Sequence, residues 1–375
     1  MRALPVASVA RQARLAAPLC ALVAAATIAI ACHAAADRMT AVDAEASLDT
    51  TLVVPASIQS FLLDTYDGSG QAVHPDYAAP IRPWSHKPRY LAITPYPNGD
   101  TKYENPVLYS GADGMHWTVA NGTPNPLAYP QSGYLSDPDV VYANVHNALY
   151  LYYRQASDSD YIHLIRSSNG TTWSPPLRVV AAPVTAALSP AVVRRAYGDW
   201  FMWTVNSDGG CRAPSATVEL RRSTDGISWT DPEQVKMDLH GYSAWHIDVQ
   251  WIASRSEFWA LMPVKTYGTC ATRQLFIASS RDGVDWITAP NAVARAGETA
   301  ELRDVVYRST FAYDSAADAV TLWLSGARLV GDGFVWSTAA VRRPRESLFS
   351  PVRRSAMLTP GERRREVDEL FVPPA

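Results

Sequence analysis

The stretch Ser223-Thr224-Asp225-Gly226-Ile227-Ser228-Trp229 decides the fold, because it recurs. Ser110 to Trp117, Ser167 to Trp173 and Ser280 to Trp286 share its ending, with Asp113-Gly114, Asn169-Gly170 and Asp282-Gly283 at the turn. The tryptophans stand 56, 56 and 57 residues apart, a period that marks a repeat architecture. An Asx-Gly turn between strand-type runs is a hairpin signal, so each unit closes with a hairpin. Two further runs precede it, as in Asp139 to Tyr142 and Leu149 to Tyr153 before Tyr161 to Ile165. Four strands per unit make one propeller blade.

Units begin near His74, Asp137, Ser189 and His246, and a fifth is expected from Asp304 to Tyr307, Val320 to Leu324 and Phe334 to Trp336. The expectation is an all-β, five-bladed β-propeller over residues 50–345. The fifth unit lacks the turn, as expected where a strand from the other chain end closes the ring, and Thr51 to Val54 is the candidate for it. Thr359-Pro360-Gly361-Glu362 has the form of a capping box, so the extension 346–375 is expected to carry a short C-terminal helix. The repeated turn itself reads as structural, since a site that does chemistry needs different groups from different blades.

Around this unit the chain has 375 residues, 18% of them charged, with 12 Trp and 18 Tyr, and a net charge of -3. That charge leaves no electrostatic footprint for nucleic acid. Arg2, Arg11 and Arg14 precede an apolar run from Leu15 to Ala31 and then Ala34-Ala35-Ala36, which predicts a signal peptide over 1–36 with a tether over 37–49. The competing reading is an uncleaved anchor. The expected location is secreted or periplasmic, with no membrane span once the signal is removed, and lipid anchoring at Cys32 stays open. Of the four cysteines, Cys211 and Cys270 remain as an even pair in an oxidising compartment, either bridged or as two thiols.

First strands line the funnel of a propeller. Aligned on one pattern, they read His74-Pro75-Asp76, Asp137-Pro138-Asp139, Ser189-Pro190-Ala191, His246-Ile247-Asp248 and Leu302-Arg303-Asp304. Residues two apart on a strand share a face, so both positions are expected to point to one surface. The second is nearly uniform and fits a structural role at strand starts as well as a catalytic one. The first varies from blade to blade, as a ligand site does.

Asp137-Pro138 resembles the Asp-Pro strand starts of family 43 and family 32 glycoside hydrolases, which are five-bladed propellers. Thr94 to Pro97, Tyr103 to Pro106, Tyr152 to Arg154, Trp245 to Asp248 and Tyr307 to Ser309 resemble uncharacterised bacterial and phage proteins grouped with them. The resemblance implies a glycoside hydrolase with Asp137 as its second-blade carboxylate. His74 stands where that family has its base, and Ser189 where it has its acid. Two carboxyl groups suffice for hydrolysis, with Asp137 as base and Asp248 or Glu104 as acid; with the two funnel histidines, the expected catalytic groups are Asp137, Asp248, His246 and His74. Glu104, Arg154, Tyr307, Arg308, Ser189 and Trp245 are the expected substrate contacts, with the two guanidiniums suited to an acidic sugar. No metal site is assigned and no cofactor is expected, although a funnel cation such as calcium stays open. The partner is a carbohydrate, which is either cleaved or, in a lectin-like propeller, only bound.

Overall fold

In the structure, a computed structural model, residues 52–80 and 88–350 are described. The signal segment, the tether and the helix expected after Thr359 lie outside these residues. What is described is all-β, with one short α-helix, Arg345–Phe349, and a propeller-like arrangement of sheets.

The strands form five sheets that follow one another along the chain. The first runs Ala72–Ala78, Arg89–Pro95, Val107–Gly111 and Trp117–Val119, each strand antiparallel to the one before. The second begins at Tyr134–Ala143, the third at Leu188–Ala196 and the fourth at Ser243–Ala244 with Asp248–Ile252. The fifth is built on the paired strands Ala319–Val330 and Gly333–Pro344, with Thr310–Asp314 as its inner strand.

A strand from the N-terminal side does complete the fifth sheet, but it is Gln59–Phe61, paired with Ala340 to Thr338. In the expected segment the Val53 N–H bonds instead to the Asp113 carbonyl. Phe61 is the residue that buries its side chain there.

The repeated turns join one sheet to the next. Within the third, Asp225 Oδ1 accepts from the Ile227 and Ser228 N–H groups, both at 2.7 Å, and Ser223 Oγ accepts from Gly226 N–H at 2.9 Å. The glycine carbonyl is left facing outward, where the preceding sheet reaches it. Tyr152 donates to Gly226 O (2.8 Å), Trp203 to Gly283 O (2.9 Å) and Trp323, in the fifth sheet, to Gly114 O in the first (2.7 Å). These glycines are required twice over. Their φ lies near +80°, and a Cβ at Gly226 or Gly283 would stand 2.8 or 2.7 Å from the aromatic that packs there.

All five inner strands carry one extra residue relative to their partners. In the first three it falls between Val73 and Asp76, Ser136 and Asp139, and Leu188 and Ala191, at the X-Pro step. His74, Asp137 and Ser189 adopt left-handed backbone there, with φ of 60°, 51° and 50°. In the fourth and fifth sheets the extra residue falls between Ala244 and Asp248 and between Val306 and Thr310.

This bulge re-aims side chains. The two positions of each strand therefore do not share one surface, as unbroken alternation implies, but form two layers along the axis. The register also corrects the fifth unit: Arg308 and Thr310 take the two inner positions, not Leu302 and Asp304. Asp304 sits at the rim, where its carboxylate accepts from Leu329 N–H.

Candidate active site

Of the upper layer, His74, Asp137 and His246 line a cavity of about 680 Å³, while Ser189 is fully buried behind them. Its walls are Tyr96, Tyr134, Trp245, Tyr307 and Trp336, with Glu104 and Arg154 set among them. His74, Glu104, Asp137, Ser189 and His246 are all buried.

Hydrogen bonding fixes both imidazoles. Thr94 Oγ1 donates to the Val73 carbonyl (3.3 Å) and so accepts from His74 Nδ1 (3.2 Å). Ser189 Oγ donates to Asp137 Oδ1 (2.9 Å), and His246 Nδ1 lies 2.5 Å from Ser189 Oγ and 3.0 Å from Asp137 Oδ1. Each ring therefore carries its proton on Nδ1 and a lone pair on Nε2. Both Nε2 atoms are buried without a hydrogen-bond partner. His74 Nε2 faces Asp137 Oδ1 at 3.5 Å, acceptor against acceptor.

The electrostatics match. Burial pushes His74 down to about 3 and lowers His246, so both rings are neutral at physiological pH. Burial also pushes the Asp137 carboxyl up, but the attraction of His74 and His246 outweighs it and holds that group well below the usual carboxylate range. Glu104 goes the other way: burial, then repulsion from Asp137, raises it well above that range. It stands 3.6 Å from His74 Nδ1.

One atom each from His74, Asp137 and His246 lies within 4.8 Å of the other two. Two neutral imidazoles and an ionised carboxylate form a donor set suited to a divalent transition metal, and orphaned buried acceptors are what such an ion satisfies. In the sequence the two histidines are only weak candidates for ligands of a funnel cation, because the ligand geometry is assembled from three sheets and leaves no short local spacing.

Around this group Trp245 Nε1 donates to the Tyr307 hydroxyl (3.1 Å), so the Tyr307 proton is left for another acceptor. The Tyr307 ring packs edge-on against His246 at 4.5 Å. Arg154 lines the pocket, but its guanidinium is engaged by Asp160 Oδ1 (2.7 Å) and Ser136 Oγ (3.3 Å).

Three expected site residues are not brought to the pocket: Ser189, whose hydroxyl is engaged by Asp137 and His246, Arg308 and Asp248. Arg308 is fully buried on the axis beneath it, donating to the carbonyls of Pro138 (2.6 Å), Ile247 (3.3 Å) and Pro190 (3.4 Å). A guanidinium spent on three carbonyls ties three sheets together and cannot grip an acidic sugar. Asp248 belongs to the lower layer, where it accepts from the Thr310 hydroxyl (3.0 Å), so it is out of reach of a substrate in this cavity. At the cavity wall Cys211 and Cys270 form a disulfide with Cα atoms 4.7 Å apart.

No known protein-family profile matches the chain. Among curated proteins it is similar to an A type blood N-acetyl-α-D-galactosamine deacetylase of Flavonifractor plautii, at 27% identity over 308 residues. The match takes in 69% of this chain, which spans about 40% of that relative's length. Among solved structures, an N-acetylgalactosamine deacetylase from F. plautii, in complex with blood group B trisaccharide, superposes with a TM-score of 0.69 at 23% identity, covering 79% of this chain and 97% of that one. A thermostable family-43 glycoside hydrolase gives 0.50 at 12% identity (75% and 95% covered). The catalytic domain of a Coprinopsis cinerea family 62 α-L-arabinofuranosidase gives 0.53 at 12% identity (76% and 97% covered). The fold is thus one shared by family 43 propeller glycoside hydrolases and a sugar deacetylase, and the chain's relatives are carbohydrate-active propeller proteins.

Proposed function

We propose that this chain is an exported, five-bladed propeller that hydrolyses the acetamido group of an N-acetylated sugar, using a divalent metal held by His74, Asp137 and His246. The observation that carries the reading is that one ligand atom each from His74, Asp137 and His246 lies within 4.8 Å of the other two, while His74 Nε2 and His246 Nε2 are buried without a hydrogen-bond partner. The similarity to an N-acetylgalactosamine deacetylase supports the same chemistry.

An ion held by His74, Asp137 and His246 would supply an acidified water and a polarised carbonyl. The chain's own groups do the rest. Glu104, which lines the pocket 3.6 Å from His74 Nδ1, would take the proton that such a water gives up and return it to the departing nitrogen. Tyr307, oriented by Trp245, donates its free hydroxyl proton to the oxygen that gains charge. The amide C–N bond breaks, acetate leaves, and the sugar keeps a free amine. Tyr96, Trp245 and Trp336 offer aromatic surface for the faces of the sugar ring.

One observation favours glycoside hydrolysis as a second reading. Asp137 and Glu104 are two carboxyls pushed apart in acidity, the pattern of a base and an acid. Ser189 stands where the family 43 pattern requires its acid, which weighs against that mechanism.

The test is chelation. Acetate release from N-acetylgalactosamine-terminated oligosaccharides should vanish on dialysis against a chelator and return with one equivalent of a divalent transition metal. Release that persists in the metal-free chain contradicts the reading.

A further inference from the structure

The lower layer of the axis holds a second group of acceptors that the proposed reaction does not use. Asp76, Asp139 and Asp248 occupy equivalent positions in the first, second and fourth sheets, and each spends one oxygen on the neighbouring sheet. Val140 N–H donates to Asp76 Oδ2 (2.6 Å), Val192 N–H to Asp139 Oδ2 (3.1 Å) and the Thr310 hydroxyl to Asp248 Oδ2 (3.0 Å). One carboxylate oxygen from each lies within 4.8 Å of the other two, and all three residues are at least 98% buried.

Asp76 Oδ1 and Asp248 Oδ1 meet no hydrogen-bond donor. Among the described residues, the cation at this layer, Arg308, does not supply it. Arg308 spends its N–H groups on backbone carbonyls, and its Nη2 stays 3.8 Å from Asp76 Oδ1 and 3.6 Å from Asp139 Oδ1, beyond hydrogen-bond reach. Three buried carboxyl groups share one guanidinium that bonds to none of them, and the two unpartnered oxygens are costly unless they are compensated. The third sheet contributes Ala191 at this position, whose methyl group offers no ligand or donor. A separate cavity of about 250 Å³, lined by Asp76, Asp139 and Trp251, gives access to this layer.

We infer that Asp76, Asp139 and Asp248 hold one divalent, oxygen-seeking cation of the calcium type, with water completing its shell. An all-oxygen set favours hard ions, whereas the imidazole-containing set in the upper pocket favours transition metals, so the two sites select different ions.

The inference is tested apart from catalysis, on the full chain carrying His74→Ala and His246→Ala so that the upper site is gone. After chelator dialysis this chain should bind one Ca²⁺, and about a hundredfold excess over Kd should raise its melting temperature by roughly 5 °C. Adding Asp139→Asn or, independently, Asp248→Asn should weaken Ca²⁺ binding by at least about tenfold, so one of the two suffices if the other does not fold. A double-histidine chain that binds no Ca²⁺, or carboxamide variants that bind it as before, overturns the inference. Neither result depends on whether the upper pocket releases acetate.

Discussion

His74 Nε2 looks at Asp137 Oδ1 across 3.5 Å, and the tautomer that makes this an encounter of two acceptors is set by Thr94 on the other side of the ring. Thr94→Val removes the acceptor that holds the Nδ1 proton. It should weaken divalent transition-metal binding about 10- to 100-fold, as loss of a supporting hydrogen bond to a ligating histidine does, while Thr94→Ser retains it. Calorimetric titration of both variants checks this, and equal affinity in Thr94→Val would remove the tautomer argument.

Tyr307 should matter to the rate rather than to binding. Tyr307→Phe keeps the ring against His246 and loses only the hydroxyl that Trp245 orients. The expected outcome is a kcat lower by about 100-fold with KM little changed, the mark of a contact made in the transition state. A raised KM at unchanged kcat would make Tyr307 a binding group instead.

The Cys211–Cys270 bridge closes a sequence separation of 59 residues. On loop-closure entropy such a link contributes about 4 kcal/mol. Reduction should therefore lower the denaturation midpoint markedly and expose both thiols together. Denaturant titration with and without reductant, combined with thiol counting, reads this out.

The turns predict a pH dependence of stability. Burial nudges Asp225 up, but the Ser228 and Ile227 N–H groups outweigh it and hold its folded pKa below the ordinary 3.8. A carboxyl depressed on folding adds stability that is complete above its unfolded pKa and is lost as the pH falls through the folded one. Asp225→Ala should cost about 1 kcal/mol near neutrality, by analogy with loss of a cap, and should flatten the acid limb of the stability curve. Turnover per folded molecule should not change. Unfolding curves across acid pH for both chains decide it.

Much of the fold was legible because turns and periods are local. The recurrence of Asx-Gly-x-x-Trp located four sheets, and its structural role follows from the self-bonded loop that Ser223 and Asp225 make. The varied ring His74, Asp137, Ser189 and His246 was legible too, since each stands at a strand start. What sequence concealed was the extra residue at each strand start, which sends His74 to one layer and Asp76 to another. The fifth unit was misaligned for a related reason. Arg308-Ser309-Thr310 has neither the Pro nor the Asp of its counterparts, whereas Leu302-Arg303-Asp304-Val305 imitates them. The deeper misreading concerned Arg308, whose partners Pro138 and Pro190 lie more than a hundred residues away and are visible only once the sheets meet on the axis.

The most direct test of the account compares the native chain with Asp137→Asn on an N-acetylgalactosamine-terminated oligosaccharide, reading acetate, free monosaccharide and the intact aminated glycan in one experiment. Asn keeps the shape of the side chain and removes the charge toward which both histidines turn. The account predicts acetate and aminated glycan in equal amounts from the native chain, no released monosaccharide, and a loss of well over about 100-fold in turnover for Asp137→Asn. Released monosaccharide without acetate would make the protein a glycosidase, binding without either product would make it a lectin, and an Asp137→Asn chain as active as the native one would place the chemistry elsewhere.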